Sequence, residues 1–305
     1  MQLKWGDLMD LRHLRSFMAV AEELHFSRAA ERLHIEPSPL SRTIKELEEE
    51  LGIVLFRRDR RGTQLTHPGR VFLDEVRHVF MALNHAKQSV KAAASGYRST
   101  LRIAVSDGVA QPRLARILAR CREEDPDIDV RLSEVPLSVQ LRGLRDGTFD
   151  AGFSGSADVG DAIIAQPIWF DPLVVTVSTR HPLLTYKEIP LNEVLRYPIV
   201  MCHPEICAGC NHQLKRILRN ADREPLVVEY ATSVDMMLTL VAAGYGLGFS
   251  TTGHVAIRRH PEVVARALDI TGATLTTYLL TPEIDPPPQL GGFIARVMES
   301  AELSI

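Results

Sequence analysis

The chain has 305 residues, 45% hydrophobic and 24% charged, with a formal net charge of −3. That is room for about two domains of ~150 residues each, with real cores, and it excludes collagenous, disordered and disulfide-scaffold classes. No apolar run reaches the ~18 residues of a membrane span. The opening residues Met1 to Asp7 carry no signal-peptide stretch, so a cytoplasmic protein without a membrane partner is expected.

Charge is unevenly placed. Residues 1–94 hold 15 Lys+Arg against 13 Asp+Glu, and the remainder 20 against 25. Arg57-Arg58-Asp59-Arg60-Arg61 concentrates four cations in five residues. A basic head on an acidic body hints at nucleic acid.

In chain order, Leu11, Leu14, Phe17, Met18, Ala21 and Leu24 recur at helical spacing. Ser27 is expected to cap a short second helix through Ala29, Ala30 and Leu33. After a break at His34 to Pro37, Ser38-Pro39 opens a third helix with apolar stripe Leu40, Ile44, Leu47 and Leu51, ended by Gly52. Its other face carries Ser38, Ser41, Arg42 and Lys45, groups suited to base edges and phosphates. Two short helices joined this way predict a helix-turn-helix reader of double-stranded DNA. Val54-Leu55-Phe56 and Thr63 to Thr66 flank the arginines as two β-runs, the wing of a winged helix, with Arg57, Arg58, Arg60 and Arg61 toward the DNA backbone or minor groove. The bland alternative is a small bundle with a solvated charged surface.

Pro68 starts a long helix in which Phe72, Val76, Val79, Leu83, Ala86, Val90 and Ala93 form a heptad seam. The seam calls either for a second copy of the chain, giving a two-fold reader, or for the protein's own core. Ala94-Ser95-Gly96-Tyr97 ends it as a hinge.

These residues together resemble the LysR-type transcriptional regulators. The match is carried by Leu11 to Phe17, Ser27 to Leu33, Leu40-Ser41-Arg42, Leu47 to Gly52, Leu55 to Arg58, Leu65-Thr66 and Pro68-Gly69. Weaker signatures follow at Leu144 to Gly147, His181-Pro182-Leu183 and Leu240 to Gly248. The family's Ser-Gln-Pro before Leu-Ser-Arg is here Glu36-Pro37-Ser38-Pro39, so the usual base-reading glutamine is absent. The resemblance implies no catalytic residues. It implies a winged helix-turn-helix DNA-binding domain (1–67), a dimerising linker helix (68–95) and an α/β effector-binding domain (96–305). The last would hold two periplasmic-binding-protein-like subdomains, 100–165 with 271–305, and 166–270. The expected DNA contacts are Ser27, Ser38, Pro39, Ser41, Arg42, Lys45 and the four arginines. The expected partners are a two-fold operator, the chain itself as dimer or tetramer, and the transcription machinery.

The remainder alternates strands and helices. Strands are expected at 101–105, 128–132, 151–153, 173–177, 199–201, 226–230, 247–249 and 274–280. Helices are expected at 113–121, 138–145, 211–218, 234–243 and 293–298. Ligands of open α/β sheets sit beyond strand C-termini. Ser106 (in Ser106-Asp107-Gly108), Ser154 and His203 are therefore the effector candidates, for a small-molecule co-inducer, although the serines also suit plain turns.

The unusual segment is Cys202 to His212, with three of the four cysteines in nine residues. Cys207-Ala208-Gly209-Cys210 precedes a predicted helix, whose N-terminus favours thiolate. Cys202, Cys207, Cys210 and His212 leave three readings: inert thiols, a redox pair, or a soft-metal site. Certain relatives sense peroxide through two cysteines in this region, with different spacing. Cys121 reads as an apolar filler. A thiol oxidoreductase or metal-handling protein centred on Cys207 and Cys210 is the rival class, and it leaves the first ninety residues unexplained.

Overall fold

Asp10 opens the first helix by closing a capping box: its side chain accepts from the N–H groups of Arg12 and His13 while the His13 ring accepts from its own. The computed structural model describes residues 9–59, 62–94, 96–106, 108–109, 112–219, 221, 223–258 and 260–302. It divides into two units, Met1–His85 and Ala86–Ile305.

The first unit holds α1 (Leu11–Glu23), α2 (Phe26–Leu33), α3 (Pro37–Leu51), β1 (Phe56–Asp59), β2 (Gly62–Leu65) and the start of α4 (His67–Ala94). Phe17 lies at the centre, 4.8 Å from the Phe72 ring and 5.3 Å from Phe56. Ala29 and Ala30 are fully buried where α2 meets its neighbours, as their small size permits. Gly69 is required: a Cβ there would lie 2.2 Å from the Leu55 carbonyl oxygen.

Three expectations need correction. Ser27 does not cap α2. The chain turns at Leu24 in the left-handed region, so the extended capping residue is His25, whose ring accepts from Arg28 N–H. The third helix begins at Pro37, with Glu36 in the cap position. Arg57 and Arg58 lie in β1 itself, because pairing runs from Phe56–Leu65 to Asp59–Gly62. Arg60, Arg61, Ser95, Asp107 and the Arg58 side chain lie outside the described residues.

The seam of α4 splits in two. Val76 is buried in the head's own core with Leu73 and Phe80, and Phe72 and Leu83 pack against it. Val79 and Val90 are 43% and 71% exposed, and Ala86 and Ala93 are exposed as well. At 3.6 residues per turn a straight helix cannot keep all seven positions on one face.

The second unit runs β3 (Ser99–Val105), α5 (Pro112–Glu124), β4 (Ile128–Glu134), α6 (Leu137–Arg145), β5 (Ala151–Ser154) and β6 (Ile163–Ser178). After a 3₁₀ turn at Pro182–Thr185 come β7 (Glu188–Pro190), α7 (Leu191–Val194), β8 (Ile199–Cys202), α8 (Ala208–Leu218), β9 (Val227–Ala231) and α9 (Val234–Ala242). β10 (Leu247–Thr251), α10 (Thr252–Ile257), β11 (Val263–Asp269), β12 (Thr274–Pro282) and α11 (Pro288–Glu302) complete it. The strand order is β4-β3-β5-β12-β6-β10-β8-β9, with β11 joining β6 and β7.

One strand serves both halves. Residues 163–172 of β6 pair with β12, and 173–178 with β10 and β11. Phe153, Trp169 and Phe293 centre one core, Val175, Ile199 and Leu214 the other. The chain therefore changes sheet at Pro172/Leu173 and returns between Asp269 and Thr274, not at 165/166. Asp171-Pro172 stands at the changeover, but the strand runs on through it without a break.

Candidate nucleic-acid interface and ligand cavity

On α3, Leu40, Ile44 and Leu47 face the core. Ser38, Pro39, Arg42 and Lys45 are exposed and Ser41 half-buried on the other side; Ser27 on α2 and Arg57 on β1 are exposed too. Arg42 and Lys45 make only surface pairs, with Glu46 at 3.5 Å and Glu49 at 3.3 Å, which cost little to give up. The nearby acids have structural work. Glu48 Oε1 accepts from the N–H groups of Leu55 and Phe56 at 2.6 and 3.0 Å, holding the entry to β1, and Glu50 accepts from Met9 N–H. A cationic, hydroxyl-bearing helix face thus stands beside a two-stranded wing.

In the second unit a cavity of about 240 Å³ opens beyond the C-terminal ends of β3, β4, β8 and β9. Gly108, Glu134 and Pro136 line one side, Ser233, Met237, Phe249, Ser250, His254 and Arg258 the other. Within three of these residues, Ser250 Oγ, His254 Nε2 and Arg258 Nη1 are buried without a hydrogen-bond partner among the described residues. Each such atom costs about 1–3 kcal/mol. Burial holds the His254 ring below the usual histidine range; the Arg258 charge pushes the same way, against Asp171 and a hydrogen bond to the Gly108 backbone.

Of the effector candidates, none lines this cavity. Ser106 and Ser154 are buried; Ser154 Oγ accepts from Ser156 N–H at 3.0 Å, a turn role. His203 accepts from Glu205 N–H and stands edge-on to Tyr230. Ser250, His254 and Arg258 line the cavity without a sequence motif to mark them, since they straddle the end of β10 and the short α10.

Cys202, Cys207 and Cys210 do line the cavity. The helix starts at Ala208, so Cys207 is its cap and Cys210 lies in its first turn. The sulfur contact is Cys202 to Cys210, 3.9 Å, across the end of β8, where Asn211 Nδ2 donates to the Cys202 carbonyl at 2.8 Å. No disulfide is present. His212 is exposed on α8, and no three His, Cys, Asp or Glu side chains among the described residues are grouped to hold a metal. Burial pushes the Cys121 thiol up.

This head and this two-sheet body match known families. Residues 11–70 fit the model described as "Bacterial regulatory helix-turn-helix protein, lysR family", and residues 94–302 the "LysR substrate binding domain". The chain belongs to the LysR-type family of DNA-binding transcriptional regulators. It is 32% identical over 241 residues to the HTH-type transcriptional regulator AlsR of Bacillus subtilis, covering 79% of this chain and 80% of that one. It is 32% identical over 242 residues to BenM of Acinetobacter baylyi, covering 78% and 79%. A crystal structure of full-length CbnR complexed with its target DNA superposes with TM-score 0.59 at 25% identity, over 96% of this chain and 100% of that one. No helix among the described residues is long and apolar enough to cross a membrane.

Proposed function

We propose that this regulator binds a two-fold operator as a homo-oligomer and that a small molecule in the cavity sets its activity. Ser38, Pro39, Ser41, Arg42 and Lys45 enter the major groove; Ser27, Arg57, Arg58, Arg60 and Arg61 hold the backbone on either side. The exposed row Val79, Ala86, Val90 and Ala93 on α4 pairs with the same row of a second copy. Occupying the cavity biases one arrangement of the sheets over another and so repositions the heads, which changes contact with the transcription machinery. The observation that carries the effector assignment is the cavity itself, which opens beyond the C-terminal ends of β3, β4, β8 and β9 and is lined by Glu134, Ser233, Phe249, His254 and Arg258. The test is a thermal-shift screen of full-length protein against small metabolites, with each hit added to a footprint on selected DNA. The proposal expects hits that raise the unfolding midpoint to alter the footprint. Hits that leave the footprint unchanged count against it.

A second reading is favoured by the 3.9 Å contact between Cys202 and Cys210. A peroxide would oxidise the pair to a disulfide, the two thiol protons leaving with the peroxide oxygens as two waters. Closure needs the sulfurs to approach by about 2 Å and would stiffen the cavity wall.

A further inference from the structure

Cys202 ends β8 and Cys210 lies in the first turn of α8, yet their sulfurs are 3.9 Å apart. Two hydrogen bonds build that approach. Asn211, 3% exposed, donates from Nδ2 to the Cys202 carbonyl at 2.8 Å, and His203 N–H donates to the Ala231 carbonyl at the end of β9 at 2.8 Å. Both cysteines are half-buried, both line the cavity, and no disulfide joins them. The separation decides among bridges. A disulfide, at ~2.05 Å, requires the sulfurs to close by about 2 Å. A linear two-coordinate ion at ~2.3 Å from each thiolate would hold them about 4.6 Å apart, whereas a pyramidal three-coordinate atom at that bond length holds them about 3.5 Å apart. The pyramidal atom needs the smallest move. Its third bond does not go to the protein: no three His, Cys, Asp or Glu side chains among the described residues are grouped for one ion, and Cys207, 9% exposed, caps α8. Ile206, Met237, Phe249 and Leu275 line the same cavity and give an apolar substituent on that bond a place to lie.

We infer that Cys202 and Cys210 are a capture site for a trivalent arsenical bearing one organic group, R–As(OH)2. Trivalent arsenic is pyramidal and sulfur-seeking, and one carbon substituent leaves it two exchangeable positions. Each thiol sulfur replaces one As–O bond with an As–S bond, and the two thiol protons leave with the two oxygens as two waters. Arsenic stays trivalent, so no oxidant or reductant is consumed. The group R lies on the apolar wall. Inorganic arsenite has three exchangeable positions and no apolar group, and it finds only two of its three sulfurs here. The site stands apart from the effector reading, because capture needs the two thiols alone.

The probe is phenylarsine oxide, which hydrates to R–As(OH)2 with R a phenyl ring. Reduced full-length protein receives one equivalent and is followed by intact mass, while iodoacetamide labelling of each cysteine is mapped in parallel. One phenylarsenic should add per chain with loss of the oxygens as water, and labelling of Cys202 and Cys210 should fall together. This paired protection is read on the wild type and does not depend on how any variant folds. Two sulfurs on one atom form a chelate, so the wild type should need at least about a hundredfold more mercaptoethanol to release the probe than Cys202→Ser or Cys210→Ser. Cys207→Ser should match the wild type. Arsenite should leave the wild type as readily as phenylarsenic leaves the two serine variants. Protection of only one of the two thiols, or a Cys202→Ser variant that holds the probe as firmly as the wild type, would overturn the pair. Firm retention of arsenite would bring in a third ligand and overturn the chemical class. No adduct on the wild type would overturn the site outright, and would leave the effector reading to its own screen.

Discussion

Gln213 and Thr276 hold each other at both ends: Gln213 Nε2 donates to the Thr276 carbonyl at 2.8 Å, and Thr276 N–H donates to Gln213 Oε1 at 2.8 Å. The same Nε2 donates to the Gly155 carbonyl at 2.5 Å. Gln213 is one turn beyond Cys210 on α8, while Gly155 and Thr276 belong to the other sheet. A single buried amide therefore latches the thiol-bearing helix to the opposite half. Gln213→Leu would strand a backbone N–H, and at about 1–3 kcal/mol for an unsatisfied buried group should cost about 2–3 kcal/mol in denaturant unfolding. A change under about 0.5 kcal/mol, the range of neutral surface substitutions, would show that the latch is not needed.

The thiol geometry makes a sharp chemical prediction. Peroxide treatment followed by peptide mapping should give Cys202–Cys210 as the main disulfide, since these sulfurs already touch at 3.9 Å. Cys121, 3% exposed with its thiol pushed up by burial, should stay reduced. A dominant Cys207–Cys210 bridge would contradict the placement of Cys207 as the helix cap.

How much of this was legible follows physical lines. Stripes such as Leu40, Ile44 and Leu47 read directly, because periodicity reports which face is buried. The changeover in β6 did not, since Pro172 and Leu173 are consecutive residues of one strand. Cys207 and Cys210 form the sequence motif, yet Cys202 and Cys210 meet, because the end of β8 and the first turn of α8 are brought together by the fold. Ser250, His254 and Arg258 straddle β10 and the six-residue α10, too short a helix to show a period. Ser106 and Ser154 do stand at strand ends, but strand-end serines are also what turns require.

Self-association through α4 is tested by charge. Val79→Glu with Val90→Glu should lower the oligomer's stability and weaken binding to paired half-sites, because charges would face their own copies across the seam. Stability of the head should hold, as both positions are exposed in one chain. Leu83→Glu should behave differently and destabilise the head itself, where Leu83 packs. Unchanged sedimentation of the double variant at low micromolar concentration would remove α4 as the seam.

His34 ends α2 in the left-handed region at φ 56°, a conformation that costs a non-glycine residue about 1–2 kcal/mol. Its side chain is exposed. His34→Gly should therefore raise head stability by up to about 1 kcal/mol after glycine's own entropy is charged. Destabilisation in equilibrium unfolding would mean that the His34 ring makes a contact worth more than the strain.

The central claim is that the exposed face of α3 reads sequence while β1 holds the backbone. The most direct measurement is binding of full-length protein to a selected DNA site and to scrambled DNA across a salt series, for wild type, Ser38→Ala, Arg42→Ala and Arg57→Ala. The account predicts that Ser38→Ala and Arg42→Ala lose about 1–3 kcal/mol on the selected site and relax its sequence preference. Arg57→Ala should weaken both DNAs alike and reduce the salt slope by about one. Equal affinity of the wild type for selected and scrambled DNA, or no loss in any of the three variants, would contradict it.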